Sequence, residues 1–192
     1  MRNKVNLIIM LQLQFIFSYF AYVILHEIGH CIVAILCGAS ITDFSIINRS
    51  MSFTGGQFDY IQLALLHISG ILCPTIVCLC LASIRKTHFI YNVFLIFLGF
   101  QNVIAQGALQ AWIVVPLLSI FDRASESDDV IKFIKVTGMT PLSVTILTSV
   151  FVIGFVVLML KQKYVEVKEQ VIYWRTNERS EDSKKQDNAK DK

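Results

Sequence analysis

The stretch Ala21-Tyr-Val-Ile-Leu-His-Glu-Ile-Gly-His-Cys-Ile-Val-Ala-Ile-Leu36 sets two histidines and a glutamate in the middle of an otherwise apolar run. On an α-helix His26 and His30 lie about 40° apart around the axis and one turn apart along it, so both imidazoles reach one metal ion while Glu27 projects beside them. That arrangement suits zinc. With three protein ligands and one open position, zinc brings the pKa of a bound water toward about 7, and a neighbouring carboxylate takes the water's proton and returns it to a leaving amine. The plainer reading is two core histidines beside a buried acid. Against it, three ionisable side chains on one turn of an apolar helix are costly unless paired or ligating a metal.

Working outward, Val5 to Leu36 is apolar for about 32 residues with Glu27 as its only formal charge. That length exceeds one bilayer thickness, so the helix is expected to tilt, kink near Gly29 or protrude. Met1 to Lys4 followed by apolar residues imitates a signal peptide, but no small-x-small cleavage site follows, and the segment reads as retained. The whole chain carries the same signature. Of its 192 residues 55% are hydrophobic and only 16% charged, with a mean hydropathy of +0.61. A soluble domain has roughly 45–50% apolar and 25% charged residues. Disorder, collagen and coiled coil are excluded as the main architecture. The net charge of +3 gives no sign of a nucleic-acid partner: nine of the 17 Lys and Arg follow Met159 and mix there with seven acids, leaving no basic groove. Five cysteines in or beside apolar segments, without a CxxC pair, read as small buried or lipid-facing residues.

Gly38 stops the first helix. From Ala39 to Tyr60 the period changes to that of a short β-hairpin or extended loop, punctuated by Gly55-Gly56. Ile61 to Ile84 is a second span, containing Gly70 and Pro74 and anchored by Arg85-Lys86. Phe89 to Phe121 is too long for one straight span and offers Gly107 and Pro116 as breaks. Polar residues from Asp122 to Lys135 precede a fourth span, Leu142 to Leu160. The predicted fold is therefore an all-α polytopic membrane protein of about four transmembrane helices, with a membrane-associated β-hairpin after the first. Residues 1–160 form the membrane domain; 161–192 form a charged tail that fades toward disorder near Glu181. The basic residues place both termini on the cytoplasmic side.

Both flanks of the His26-Glu27-Ile28-Gly29-His30 motif are apolar, so its site would lie within the membrane. In this the chain resembles the site-2 protease family of intramembrane zinc metalloproteases, and in particular its small bacterial members. Gly38-Ala39-Ser40 and the segment to Gly55-Gly56-Gln57-Phe58 look like that family's membrane-associated β element. His67-Ile68-Ser69-Gly70-Ile71-Leu72-Cys73-Pro74 is similar to its second core helix, and the likeness covers roughly residues 20 to 140. The resemblance implies a zinc metalloendopeptidase in a bacterial cell membrane, with Glu27 as general base and His26 and His30 as ligands. Its substrate would be a membrane protein or a peptide held at the bilayer.

The family takes its third ligand from a downstream aspartate, usually within Leu-Asp-Gly, which this sequence lacks. It has Ser125-Glu126-Ser127-Asp128-Asp129 followed by Thr137-Gly138-Met139-Thr140-Pro141, similar to a divergent variant, and the resemblance implies Asp128, with Asp129 next and Asp122 third. An Asp-Asp pair before Val130-Ile-Lys-Phe-Ile-Lys135 equally reads as a helix N-terminus. His67 and His88 are the remaining histidines. His67 reads as a hydrogen-bonded core residue, an oxyanion-side donor or a substitute ligand. Asn102, Gln106 and Gln110 recur every four residues, as interhelical glue or as a stripe holding a substrate's unwound backbone, so Asn102, Gln106 and His67 are candidate substrate contacts. Two other functions stay open. A non-proteolytic zinc-binding membrane protein would not need Glu27, and a membrane scaffold acting through its tail would not need zinc.

Overall fold

The computed structural model describes residues 2–84, 89–105 and 107–190; His88 and Gln106 lie outside the described residues. Helix α1 (Arg2–Leu36) is continuous and about 52 Å long. It passes Gly29 without a break, so its excess length is taken up by protrusion or tilt. The chain leaves it at Gly38, whose φ of 81° is one that side-chain-bearing residues seldom adopt. An antiparallel hairpin follows, β1 (Ala39–Ser45) with β2 (Ser50–Gly55), in register Ala39↔Gly55 to Ser45↔Ser50 and shifted between Ile41 and Asp43. Its apolar residues Ile41, Met51 and Phe53 pack with Phe58 around Ala34, Ala39 and Leu66.

Helix α2 (Tyr60–Ser83) opens with a capping box in which Asp59 accepts from the Gln62 amide and Gln62 from the Asp59 amide. It contains Pro74, which brings no N–H to the carbonyl of Gly70 one turn earlier. The third apolar run is not one helix. It comprises α3 (Phe89–Phe100), a π-helical turn Gln101–Ala105, a bend at Gly107, a second π-helical turn Gln110–Val114, and α4 (Val115–Ser119). Gly107 is the break. Pro116 is not, because it lies in the first turn of α4, directly after a π-helical turn that loosens the ladder where its N–H is missing. The bend also resets the helical phase, so Asn102 is buried while Gln110 is exposed and the two share no stripe.

Short α5 (Asp129–Thr137) follows, and α6 runs from Pro141 to Lys190. Among the described residues three helices are long and apolar enough to cross a membrane: Val5–Leu36, Tyr60–Ser83 and Pro141–Lys163. The third run adds two shorter apolar helices, Ile90–Ile104 and Gln110–Ser119. One core joins α1, α2, α3 and α6 through Tyr22, Val23, Cys78, Leu95, Leu98 and Phe155. A second docks α5 against α2, α6 and the broken run through Ile71, Trp112, Val130, Phe133 and Val144.

Candidate metal centre

Packing of α1 against α2 builds the first half of the site. At their crossing a Cβ on Gly29 would strike the Ser69 carbonyl, so only glycine lets the backbones come this close. A Cβ on Gly70 would lie 2.5 Å from His26 Cε1 and 2.6–2.7 Å from the Nε2 atoms of His30 and His26. The bare backbone of α2 at Gly70 is thus one wall of the site.

His30, nearly buried, donates from Nδ1 to the Leu66 carbonyl at 2.6 Å, with the Ser69 hydroxyl 3.3 Å from the same nitrogen. A carbonyl can only accept, so the proton is fixed on Nδ1 and the Nε2 lone pair is free for a ligand. His26 has the Tyr22 hydroxyl 3.4 Å from its Nδ1, and its Nε2 faces that of His30 at 3.2 Å. Glu27 is 4% exposed and lies within electrostatic reach of His26, His30 and Asp129. Arg49, at the hairpin tip with φ 50°, is close enough for its charge to act on both Glu27 and Tyr22.

The acid that completes the group is Asp129, where the sequence resemblance favoured its neighbour. Its Oδ2 is 3.1 Å from His30 Nε2 and 3.7 Å from His26 Nε2. Asp128 stands at the N-cap of α5 in extended conformation and makes no side-chain capping bond; Asp122 lies exposed in the turn after α4 with φ 54°. The placement of Asp129 beside the histidines follows from helix phase. Asp129 shares a face with Phe133, one turn on, and Phe133 is buried with its ring 5.2 Å from that of Trp112, so docking α5 carries residue 129 inward. The far end of α5 is tied down by the Tyr60 hydroxyl donating to the Thr137 carbonyl at 3.0 Å.

His26 Nε2, His30 Nε2 and Asp129 Oδ2 thus form a triangle with edges of 3.2, 3.1 and 3.7 Å. Ligands bound at 2.0–2.1 Å to a tetrahedral zinc stand about 3.3 Å apart, so these residues fit that ion before any rearrangement. Among the described residues this is the one His/Cys/Asp/Glu group able to hold a metal.

The other sequence candidates separate. His67 lies on the far side of the acid, its Nδ1 3.7 Å from Asp129 Oδ1. Asn102 is fully buried and donates from Nδ2 to Thr75 Oγ1 at 2.7 Å, tying the π-helical turn to α2 as interhelical glue does. Tyr22, Gly70, Ser69 and the Leu66 carbonyl were not read as site groups from the sequence. Tyr22 could have been, since it stands four residues before His26 and shares its face. A backbone carbonyl leaves no such mark.

Residues 5–105 match the family model described as Peptidase M50B-like. That stretch carries His26, Glu27, His30, the hairpin and α2, and ends before Asp129. No curated protein and no solved structure matches the chain. With more than half of its 192 residues inside the match, the chain belongs to the Peptidase M50B-like family, a site-2 protease family.

Proposed function

We propose that this peptidase-family chain is an integral membrane zinc metalloprotease that hydrolyses a peptide bond of a membrane-associated protein or peptide. The observation that carries the reading is the triangle of His26, His30 and Asp129, with Glu27 beside it on a helix long and apolar enough to span a bilayer. His26 Nε2, His30 Nε2 and Asp129 Oδ2 would hold the ion. Zinc in such a site acidifies water and polarises a carbonyl.

The protein's own groups do the rest. The Leu66 carbonyl keeps the His30 lone pair turned inward, and Gly70 keeps α2 from filling the space before the two nitrogens. Glu27, buried beside His26 and His30, takes the proton of the attacking water and delivers it to the leaving amine.

The test is Glu27→Gln in protein reconstituted into liposomes with single-span membrane peptides. The expected result is zinc retained at the wild-type level and cleavage reduced by about 10²–10⁴-fold. Undiminished turnover would remove Glu27 from the chemistry. A wild type that holds zinc and cleaves no membrane peptide would favour the non-proteolytic zinc-binding alternative.

A further inference from the structure

The two oxygens of Asp129 face different ways. Oδ2 turns to His30 and His26, whereas Oδ1 has His67 Nδ1 at 3.7 Å and Lys132 Nζ at 4.0 Å. These two cations or donors are not equivalent. Lys132 is on α5 itself, three residues from the acid, with a side chain 44% exposed, and it moves wherever α5 moves. His67 is on α2 and its side chain is 14% exposed. That helix already supplies the carbonyl that orients His30 and the bare glycine beside both Nε2 atoms. Of the two, only His67 ties the position of the carboxylate to the helices that carry the other ligands.

An aspartate with both oxygens free can swing or chelate through both. A donor on one oxygen fixes which of them points at the metal, and groups of this kind matter for affinity although they never touch the ion. We infer that His67 is a positioning residue: its Nδ1–H holds Oδ1 of Asp129 so that Oδ2 is presented to His26 and His30. The inference rests on the reading of those three residues as metal ligands. It assigns His67 neither to substrate nor to the metal, and it gives the ring one tautomer, with the proton on Nδ1. At 3.7 Å the contact in this state is electrostatic, longer than the 2.7–3.2 Å of a made hydrogen bond.

The experiment is metal titration of the purified full-length protein in detergent, against a competing chromophoric chelator. Zinc gives the affinity, and cobalt gives the ligand-field spectrum. Wild type, His67→Ala, His67→Gln and Lys132→Met are compared. The expected pattern is about one ion per chain in all four, with affinity lowered about 10–100-fold in His67→Ala. His67→Gln, which keeps an N–H donor, should recover part of that loss, and Lys132→Met should stay near wild type. The cobalt spectrum should keep its tetrahedral intensity in His67→Ala. If His67→Ala fails to fold, the Gln variant against wild type reads the same contact. Unchanged affinity in His67→Ala overturns the inference, and so does a spectrum that shows a lost nitrogen ligand, which would make His67 part of the coordination sphere. A wild type that binds no metal would refute the metal-site reading itself, a result separate from either.

Discussion

The α1–α2 pair and the run from Phe89 to Thr137 each contribute to the same site, yet they are built on opposite plans. In the first, two unbroken helices cross at Gly29 and Ser69, and the candidate ligand His30 is held by a 2.6 Å bond to a backbone carbonyl. In the second, the chain passes through two π-helical turns and a bend before delivering Asp129 at the start of a nine-residue helix. Its carboxylate meets its neighbours at 3.1 to 4.0 Å. The contrast lies in how the three candidate ligands are carried: His26 and His30 sit on a long continuous helix, and Asp129 on a short docked one. Irregular backbone and π-helical turns at membrane depth are tolerated where they are packed inside protein, as Asn102 and Trp112 are.

The strongest way to break this contrast is at Gly70. In Gly70→Ala the added methyl would meet His26 Cε1 and both Nε2 atoms, so a ligand ring must turn away. Turnover should fall by about 10²-fold or more and zinc affinity should drop with it, while the helical content measured by circular dichroism stays near wild type. Retained zinc and activity in that variant would show that α2 does not wall the site.

Gly29→Ala should do the reverse. Its methyl would press on the Ser69 carbonyl, and backbone cannot step aside cheaply, so overpacking should cost about 1–3 kcal/mol. Thermal unfolding in detergent should show the loss, with about one zinc per chain still bound to the folded fraction. Equal damage to stability in both glycine variants would erase the distinction between a packing contact and a site wall.

The same contrast governs what could be read in advance. Hydrophobic runs of span length and the change of period after Gly38 marked α1, the hairpin and α2, and the helical spacing of His26, Glu27 and His30 marked half of the site. Those features depend on local periodicity, which is written in consecutive residues. The third run was harder because π-helical turns keep an apolar composition while shifting the phase, so Asn102 and Gln110 looked aligned and are not. The choice between Asp128 and Asp129 needed the packing of α5. The sequence did hold a clue in Asp129 and Phe133, an i, i+4 pair with the buried Val130 and Ile131 between them. What no pattern could show is that the Leu66 carbonyl and the empty space at Gly70 complete the site, because backbone atoms and missing side chains are placed only by tertiary packing.

The central claim is that a rigid histidine pair on α1 shares one zinc with the aspartate carried by α5. It is tested most directly by zinc content and X-ray absorption of the purified protein, comparing wild type with Asp129→Asn and Asp128→Asn. Asparagine is a poor zinc ligand but caps a helix about as well as aspartate, so the pair separates ligation from capping. The account predicts about one zinc per chain in wild type, bound by two imidazoles and a carboxylate. It predicts loss of that zinc in Asp129→Asn, with stability and zinc content near wild type in Asp128→Asn. Zinc retained in Asp129→Asn and lost in Asp128→Asn would contradict it.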